Sequence, residues 1–158
     1  MIRKMMLTAV AMLVLPVMAS AQTVTATATV SQFAEVAGDV TLAFGTLSAT
    51  VDNVIDAADG SVTTTVSYNH DVDVTFTGVP SILTGTGGTL AISLMCATQE
   101  GATWSTAVAC DGASLPLDVG SALTVATLGF GGTILAADVA NAPAGDYSAT
   151  FDITVTAR

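Results

Sequence analysis

Eight consecutive residues alternate without a break. Val24, Ala26, Ala28 and Val30 fall on one side of an extended chain, and Thr23, Thr25, Thr27 and Thr29 fall on the other. Side chains repeat every second residue in a strand and every 3.6 residues in a helix, so strict period 2 over this length excludes an amphipathic helix. The residue types reinforce the period. Thr and Val supply 40 of the 137 residues after position 21, and both suit a pleated, half-buried surface. Glu, Gln, Lys, Arg and Met, the straight-chain residues that normally clothe surface helices, are nearly absent there. The chain reads as an all-β protein.

Further strands follow the same logic. Residues 40–44 form a second strand, stopped by Gly45. Residues 62–68 and 72–77 read as a hairpin joined by Asn69-His70-Asp71 and ended by Gly78-Val79-Pro80. Residues 84–88 read as a glycine-threonine turn and residues 89–96 as a strand, with residues 115–119 as its partner beyond a loop carrying Trp104. Residues 123–130 and 133–135 follow, with Gly129, Gly131 and Gly132 read as a bulge or turn between them. The last strand sets Tyr147, Ala149, Phe151, Ile153, Val155 and Ala157 on one face and Ser148, Thr150, Asp152, Thr154, Thr156 and Arg158 on the other. Eight or nine short strands at this spacing predict a single β-sandwich with Greek-key connections over residues 22–158.

Residues 1–21 read as a secretory signal peptide. Arg3 and Lys4 are the positive n-region, residues 5–17 are apolar apart from Thr8, and Ala19-Ser20-Ala21 is an A-x-A cleavage site. The apolar run is short for a membrane span of about 20 residues, and no later stretch is apolar enough to cross a bilayer. The expectation is a secreted protein beginning at Gln22, passing to the cell surface or beyond.

That mature chain contains 13 acidic residues, one cation, Arg158, and no lysine, so its side-chain charge is −12. Counterion release needs clustered Lys or Arg, which argues against a nucleic-acid binder, and anionic lipid is disfavoured for the same reason. In an oxidising compartment Cys96 and Cys110 are expected to form a disulfide. Closing a loop of about 15 residues is worth about 3 kcal/mol in the chain-entropy model.

Candidate chemistry is thin. His70, the only histidine, sits in a polar turn, and no G-x-S-x-G elbow accompanies the serines. The reading is a protein that is not an enzyme and needs no cofactor. Asp52, Asp56 and Asp59, with Asn53 and before Gly60, are weak calcium candidates, as are Asn69, Asp71 and Asp73. The plainer reading of each group is a polar turn. Gly85-Thr86-Gly87-Gly88 lacks the Lys of a phosphate loop. Trp104, between the cysteines, either contacts a partner or packs beneath the disulfide.

Three features resemble a known family. They are the alternation at residues 23–30, Leu42-Ala43-Phe44-Gly45-Thr46-Leu47, and the closing Ala144-Gly145-Asp146-Tyr147 run that leads into Phe151-Asp152-Ile153-Thr154-Val155. Together they resemble bacterial pilin subunits of the chaperone–usher type and the related spore coat protein U-like secreted domains. The chain differs from those pilins in its late cysteine pair and in ending Ala157-Arg158 without an aromatic. The resemblance implies an immunoglobulin-like sandwich lacking one strand, completed by donor-strand exchange. It implies a structural subunit of a fibre, pilus or coat that self-associates, with a periplasmic chaperone and usher as partners. Val24, Ala26, Ala28 and Val30 are then the donor-strand candidates. Two alternatives stay open: residues 23–30 as the first strand of their own sandwich, and a monomeric secreted adhesin or binding module for carbohydrate or calcium.

Overall fold

The computed structural model describes residues 27–120 and 123–158. The signal segment, Val24 and Ala26 lie outside the described residues. Ser31–Arg158 is one compact unit, and Met1–Val30 is a separate one. The described residues of the latter, Thr27 to Val30, have no regular structure and are exposed.

The fold is all-β, built from antiparallel sheets. The largest takes β1 (Ala34–Val36), β3 (Thr63–Tyr68), β11 (Thr124–Ile134), β7 (Ser93–Glu100) and β8 (Thr103–Trp104) in that order. On it, β2 (Asn53–Ile55) pairs with the far end of β11 and β9 (Val108–Ala109) pairs with β7. A second sheet orders β10 (Ser114–Leu117), β4 (Val72–Thr77) and β13 (Asp152–Ala157). A third joins β12 (Tyr147–Ser148), β5 (Ile82–Gly85) and β6 (Gly88–Ala91).

The first two sheets share one core. Val66, Tyr68, Leu128 and Phe130 from the large sheet pack with Val72, Val74, Phe76 and Leu117 from the second. Edge-to-face rings bridge them, Phe76 to Phe130 at 6.1 Å and Phe130 to Phe151 at 6.0 Å between centroids, a geometry that favours the positive edge of one ring over the face of the next.

Several sequence expectations are corrected. Residues 62–68 and 72–77 are strands, but they do not pair. β3 pairs with β1 and β11, and β4 pairs with β10 and β13. The connector Asn69-His70-Asp71 carries the chain from one sheet to the other, because Tyr68 and Val72 are both fully buried and must face one core from opposite layers. Residues 115–119 were expected to pair with residues 89–96; β10 pairs with β4 instead. The expected strand at residues 89–96 divides at Ile92, whose N–H bonds to Ser81 O, into β6 and β7. The final strand divides at residues 149–151 between β12 and β13, which serve different sheets.

The glycines of β11 mark neither bulge nor turn, for Thr124–Ile134 is one uninterrupted strand. A Cβ on Gly129 would strike Ala57 O and come within 2.7 Å of Trp104 Cζ3, and one on Gly131 would strike Ile55 O and Ala57 N. The chain at residues 55–57 lies directly over the strand, and glycine lets a second backbone approach that closely. The short helix α1 (Ala136–Asn141) carried no periodic signal. No helix among the described residues is long and apolar enough to cross a membrane.

The cysteines form the expected bond. Cys96 on β7 and Cys110 just after β9 are joined, Cα to Cα 5.2 Å, and both are buried. Cys110 N–H also bonds to Leu94 O at 3.1 Å, so the disulfide fastens the returning chain along β7.

Candidate functional site

A broad groove of about 1480 Å³ opens on Ser31–Arg158. One wall is residues 38–47. The other is residues 142–153, leading into β13. Leu90, Ile92, Leu94, Phe130 and Ile134 make the floor.

The first wall has an unusual composition of pattern and bonding. Val40, Leu42 and Phe44 are half-buried and packed against the core, while Thr41 and Ala43 are exposed. That is the period of a strand, as the sequence predicts for residues 40–44. Yet these residues belong to no ladder, and among the described residues none from 38 to 47 makes a hydrogen bond. Backbone N–H and C=O groups are strong donors and acceptors that are almost always satisfied; here ten consecutive residues find no partner among the described residues. The expected strand is absent because nothing lies beside it to complete the ladder.

The opposite wall presents a matching edge. β13 pairs with β4 on one side only. Arg158 N–H donates to Asp71 O at 2.9 Å. Rungs to one neighbour recur at every second residue, so Thr156, Thr154 and Asp152 share that phase and face β4. Ile153 and Val155 therefore turn their N–H and C=O away from β4, with their side chains half-buried; of the two, Ile153 lines the groove, and β1 also comes close beside β13.

Most other sheet edges are blunted, though the four-residue β6 is not. β10 carries Pro116, which has no N–H to offer a partner. β1 has three residues, and β8, β9 and β12 have two each, too little to template a strand. β13 is a six-residue edge without proline or lysine.

The remaining candidates within Ser31–Arg158 do not line this groove. Ala28 and Val30 are exposed, Val30 at 84%. Asp52, Asp56 and Asp59 are each engaged by backbone: Asp52 Oδ1 accepts from Ala136 N at 2.9 Å, Asp56 Oδ1 from Ala58 N at 2.9 Å, and Asp59 Oδ1 from Ser61 N at 2.7 Å. Hydrogen bonds from the Ser61 hydroxyl and then its N–H hold the Asp59 carboxyl below the ordinary carboxylate range. No group of three His, Cys, Asp or Glu among the described residues is placed to hold a metal ion.

Asn69 completes a ladder: its Oδ1 accepts from Phe33 N at 2.8 Å and its Nδ2 donates to Ser31 O at 2.9 Å. Asp71 Oδ1 accepts from Val119 N at 2.8 Å, and Asp73 lies 3.9 Å from Arg158 Nε. His70 Nδ1 is 3.1 Å from Asn69 Oδ1. Trp104 lies over the backbone of Gly129 and Gly60, packed against β11 on the far side from the groove floor.

Sequence reasoning identified the wall at residues 40–44 only as a strand, not as the side of a groove. The floor residues were legible as apolar but not as an exposed site, because their convergence depends on which sheets β6, β7 and β11 join. Comparison with protein-family models, with curated proteins and with solved structures finds no match.

Proposed function

We propose that the protein is a non-enzymatic structural subunit of a cell-surface fibre, pilus or coat, assembled by adding the N-terminal strand of one copy to the groove of the next. In this reading the sandwich is immunoglobulin-like and one strand short. The observation that carries it is the hydrogen-bond-free wall at residues 38–47, across the groove from residues 142–153, where Ile153 begins an edge of β13 that β4 leaves unpaired. A strand laid between them would pair on both sides, and main-chain bonds supply affinity in strand addition while alternate side chains supply specificity. Residues 23–30 suit that slot: Val24, Ala26, Ala28 and Val30 give a small apolar face toward the floor, and the threonines face outward. Transport by a periplasmic chaperone and usher is part of the same proposal.

Ala28→Asp tests it. An aspartate on the inward face would bury an unpaired charge, which costs several kcal/mol unless it is neutralised. Thr27→Asp alters the outward face. The expected result is that the wild type and Thr27→Asp polymerise, as seen by electron microscopy, while Ala28→Asp stays monomeric with an unchanged circular dichroism spectrum. Polymers from Ala28→Asp, or loss of its folded spectrum, would refute strand donation by these residues; the second outcome would place residues 23–30 in their own sandwich.

A further inference from the structure

One side chain stitches the end of the groove wall to a surface loop. Asn53 Oδ1 accepts from Ser48 N at 2.7 Å, and Asn53 Nδ2 donates to Ser48 O at 3.0 Å and to Val51 O and Ile134 O at 3.4 Å. Asp52 Oδ1 accepts from Ala136 N, which ties the same loop to the chain leaving β11. The frame so fixed is apolar outward. Val51 and Val54 are 64% and 63% exposed, and Leu135 is 49% exposed. Val54 pairs with Thr133. Leu135 stands two residues beyond Thr133 and is still extended, so strand period puts it on the face of Val54. Large apolar groups gathered on a rigid surface are characteristic of a contact site.

This patch adjoins one end of the groove. Leu47 of the wall leads into Ser48, and Ile134 of the floor leads into Leu135. At the other end Val36 and Gly38 line the groove and β1 comes close beside β13, which obstructs a chain there. A donated strand has to continue into a folded domain, so its C-terminal end belongs at Leu47. The donated segment carries matching groups at its base. Val30 is exposed, and Phe33, about 10 Å farther along an extended chain, is 39% exposed. Phe33 is held rigidly: its N–H donates to Asn69 Oδ1 at 2.8 Å and its C=O accepts from Asn69 N at 3.2 Å.

We propose that Val51, Val54 and Leu135 form a second contact between copies, receiving Val30 and Phe33 of the copy whose strand fills the groove. The contact sets the direction of that strand, residue 30 toward Leu47 and residue 24 toward Ile153. The proposal rests on the reading of the groove as a strand slot. Its occupant is a second copy, because a copy's own Phe33 is out of reach. Phe33 adjoins Asn69 beside the Tyr68–Thr124 pair, and Ile134 lies at the opposite end of β11, about 33 Å away. Residues 22–33 carry no charged side chain, so they approach an acidic neighbour without repulsion.

Two synthetic peptides, residues 22–30 and residues 22–33, test this on the purified protein at a concentration where it is monomeric. The longer peptide should bind at least about fivefold more tightly, from the added apolar burial. Val54→Ser with Leu135→Ser, both exposed and outside the core, should erase that gain and leave the affinity for the shorter peptide unchanged. Phe33→Ser in the longer peptide should erase it too, without touching the fold of the protein. A spin label on the N-terminal end of the longer peptide should broaden NMR signals near Ile153 and spare those near Leu47. The proposal is overturned, with strand addition left standing, by equal affinities for the two peptides, by a gain that survives these substitutions, or by broadening at Leu47. Failure of both peptides to bind defeats strand addition itself and the second contact with it.

Discussion

Gly129→Ala should be among the most damaging single-methyl additions in the molecule. The new Cβ would strike Ala57 O and stand 2.7 and 2.9 Å from Trp104 Cζ3 and Cη2. Side-chain atoms can sometimes yield, but Ala57 O is backbone. Its loop is fixed from both ends, by the Asp56 Oδ1 to Ala58 N bond and by Phe130 N donating to Val62 O at 2.9 Å. Inserting a methylene into a well-packed core typically costs about 1–3 kcal/mol; with a rigid obstacle we expect about 3 kcal/mol or more, corresponding to roughly 10 °C in Tm for a domain of this size.

Two other glycines calibrate the effect. Gly101 has φ 68° and open space around its Cβ position, so Gly101→Ala carries only the left-handed penalty, about 1–2 kcal/mol. Gly120 has neither a close neighbour nor a positive φ, and Gly120→Ala should stay within about 0.5 kcal/mol. Urea titrations followed by circular dichroism give the three midpoints, and Trp104, the only tryptophan, reports locally on the Gly129 site. If Gly129→Ala costs no more than Gly101→Ala, then residues 55–57 do not lie against β11 and the account of its glycine run is wrong.

The disulfide should leave no thiol to label in denatured, unreduced protein, and replacing both cysteines by alanine should lower stability by about 3 kcal/mol for a separation of 14 residues, read from the urea midpoint. Tyr68 is fully buried with its hydroxyl 3.3 Å from Glu100 Oε1, and burial, followed by the Glu100 charge, pushes its pKa from 10.0 up to about 12. The neutral, protonated form is the one the fold favours, so its contribution is fully present below pH 10 and falls by at most about 1.4 kcal/mol per pH unit between there and about pH 12; Tyr68→Phe should remove that part of the alkaline loss in pH-dependent melts. Arg158 lies between Asp118 and Asp73 but is partly exposed, so Arg158→Ala should cost no more than about 1 kcal/mol, and less at high salt.

Much of the strand content was legible because period 2 with Thr, Val and Ala is a strong signal, and residues 63–68, 72–77 and 152–157 lie where it puts them. Pairing was not legible. Whether residues 62–77 make a hairpin or cross between sheets depends on Tyr68 and Val72 both needing the same core, a demand that appears only when the layers exist. The glycines of β11 were misread for a related reason: a local pattern cannot distinguish a glycine that bends its own strand from one that admits another backbone. The cysteines were legible because two cysteines allow only one pairing. The groove was hidden because its floor comes from β6, β7 and β11, brought together by topology.

One disagreement between sequence and fold is itself informative. A chain whose residues alternate as cleanly as Val40, Leu42 and Phe44 is patterned for a ladder, and in natural sequences local pattern and global structure normally agree. A monomer that leaves those residues without a rung holds a pattern with no local use. The same chain blunts β10 with Pro116 and keeps most of its other edges to two or three residues, yet leaves the six-residue β13 paired on one side only, its first residues lining the groove across from the idle segment. It also carries a second patterned segment, residues 23–30, whose described part is exposed and outside any ladder. Under the proposed function, the two idle strand patterns and the one-sided edge of β13 are used together when copies pair. With a charge of −12 and no lysine over residues 22–158, copies of that segment repel one another over distances near the Debye length, about 10 Å at 0.1 M salt. Casual edge-to-edge contact is thereby disfavoured, while a strand seated in a groove recovers main-chain bonds on both sides and excludes water from its apolar face.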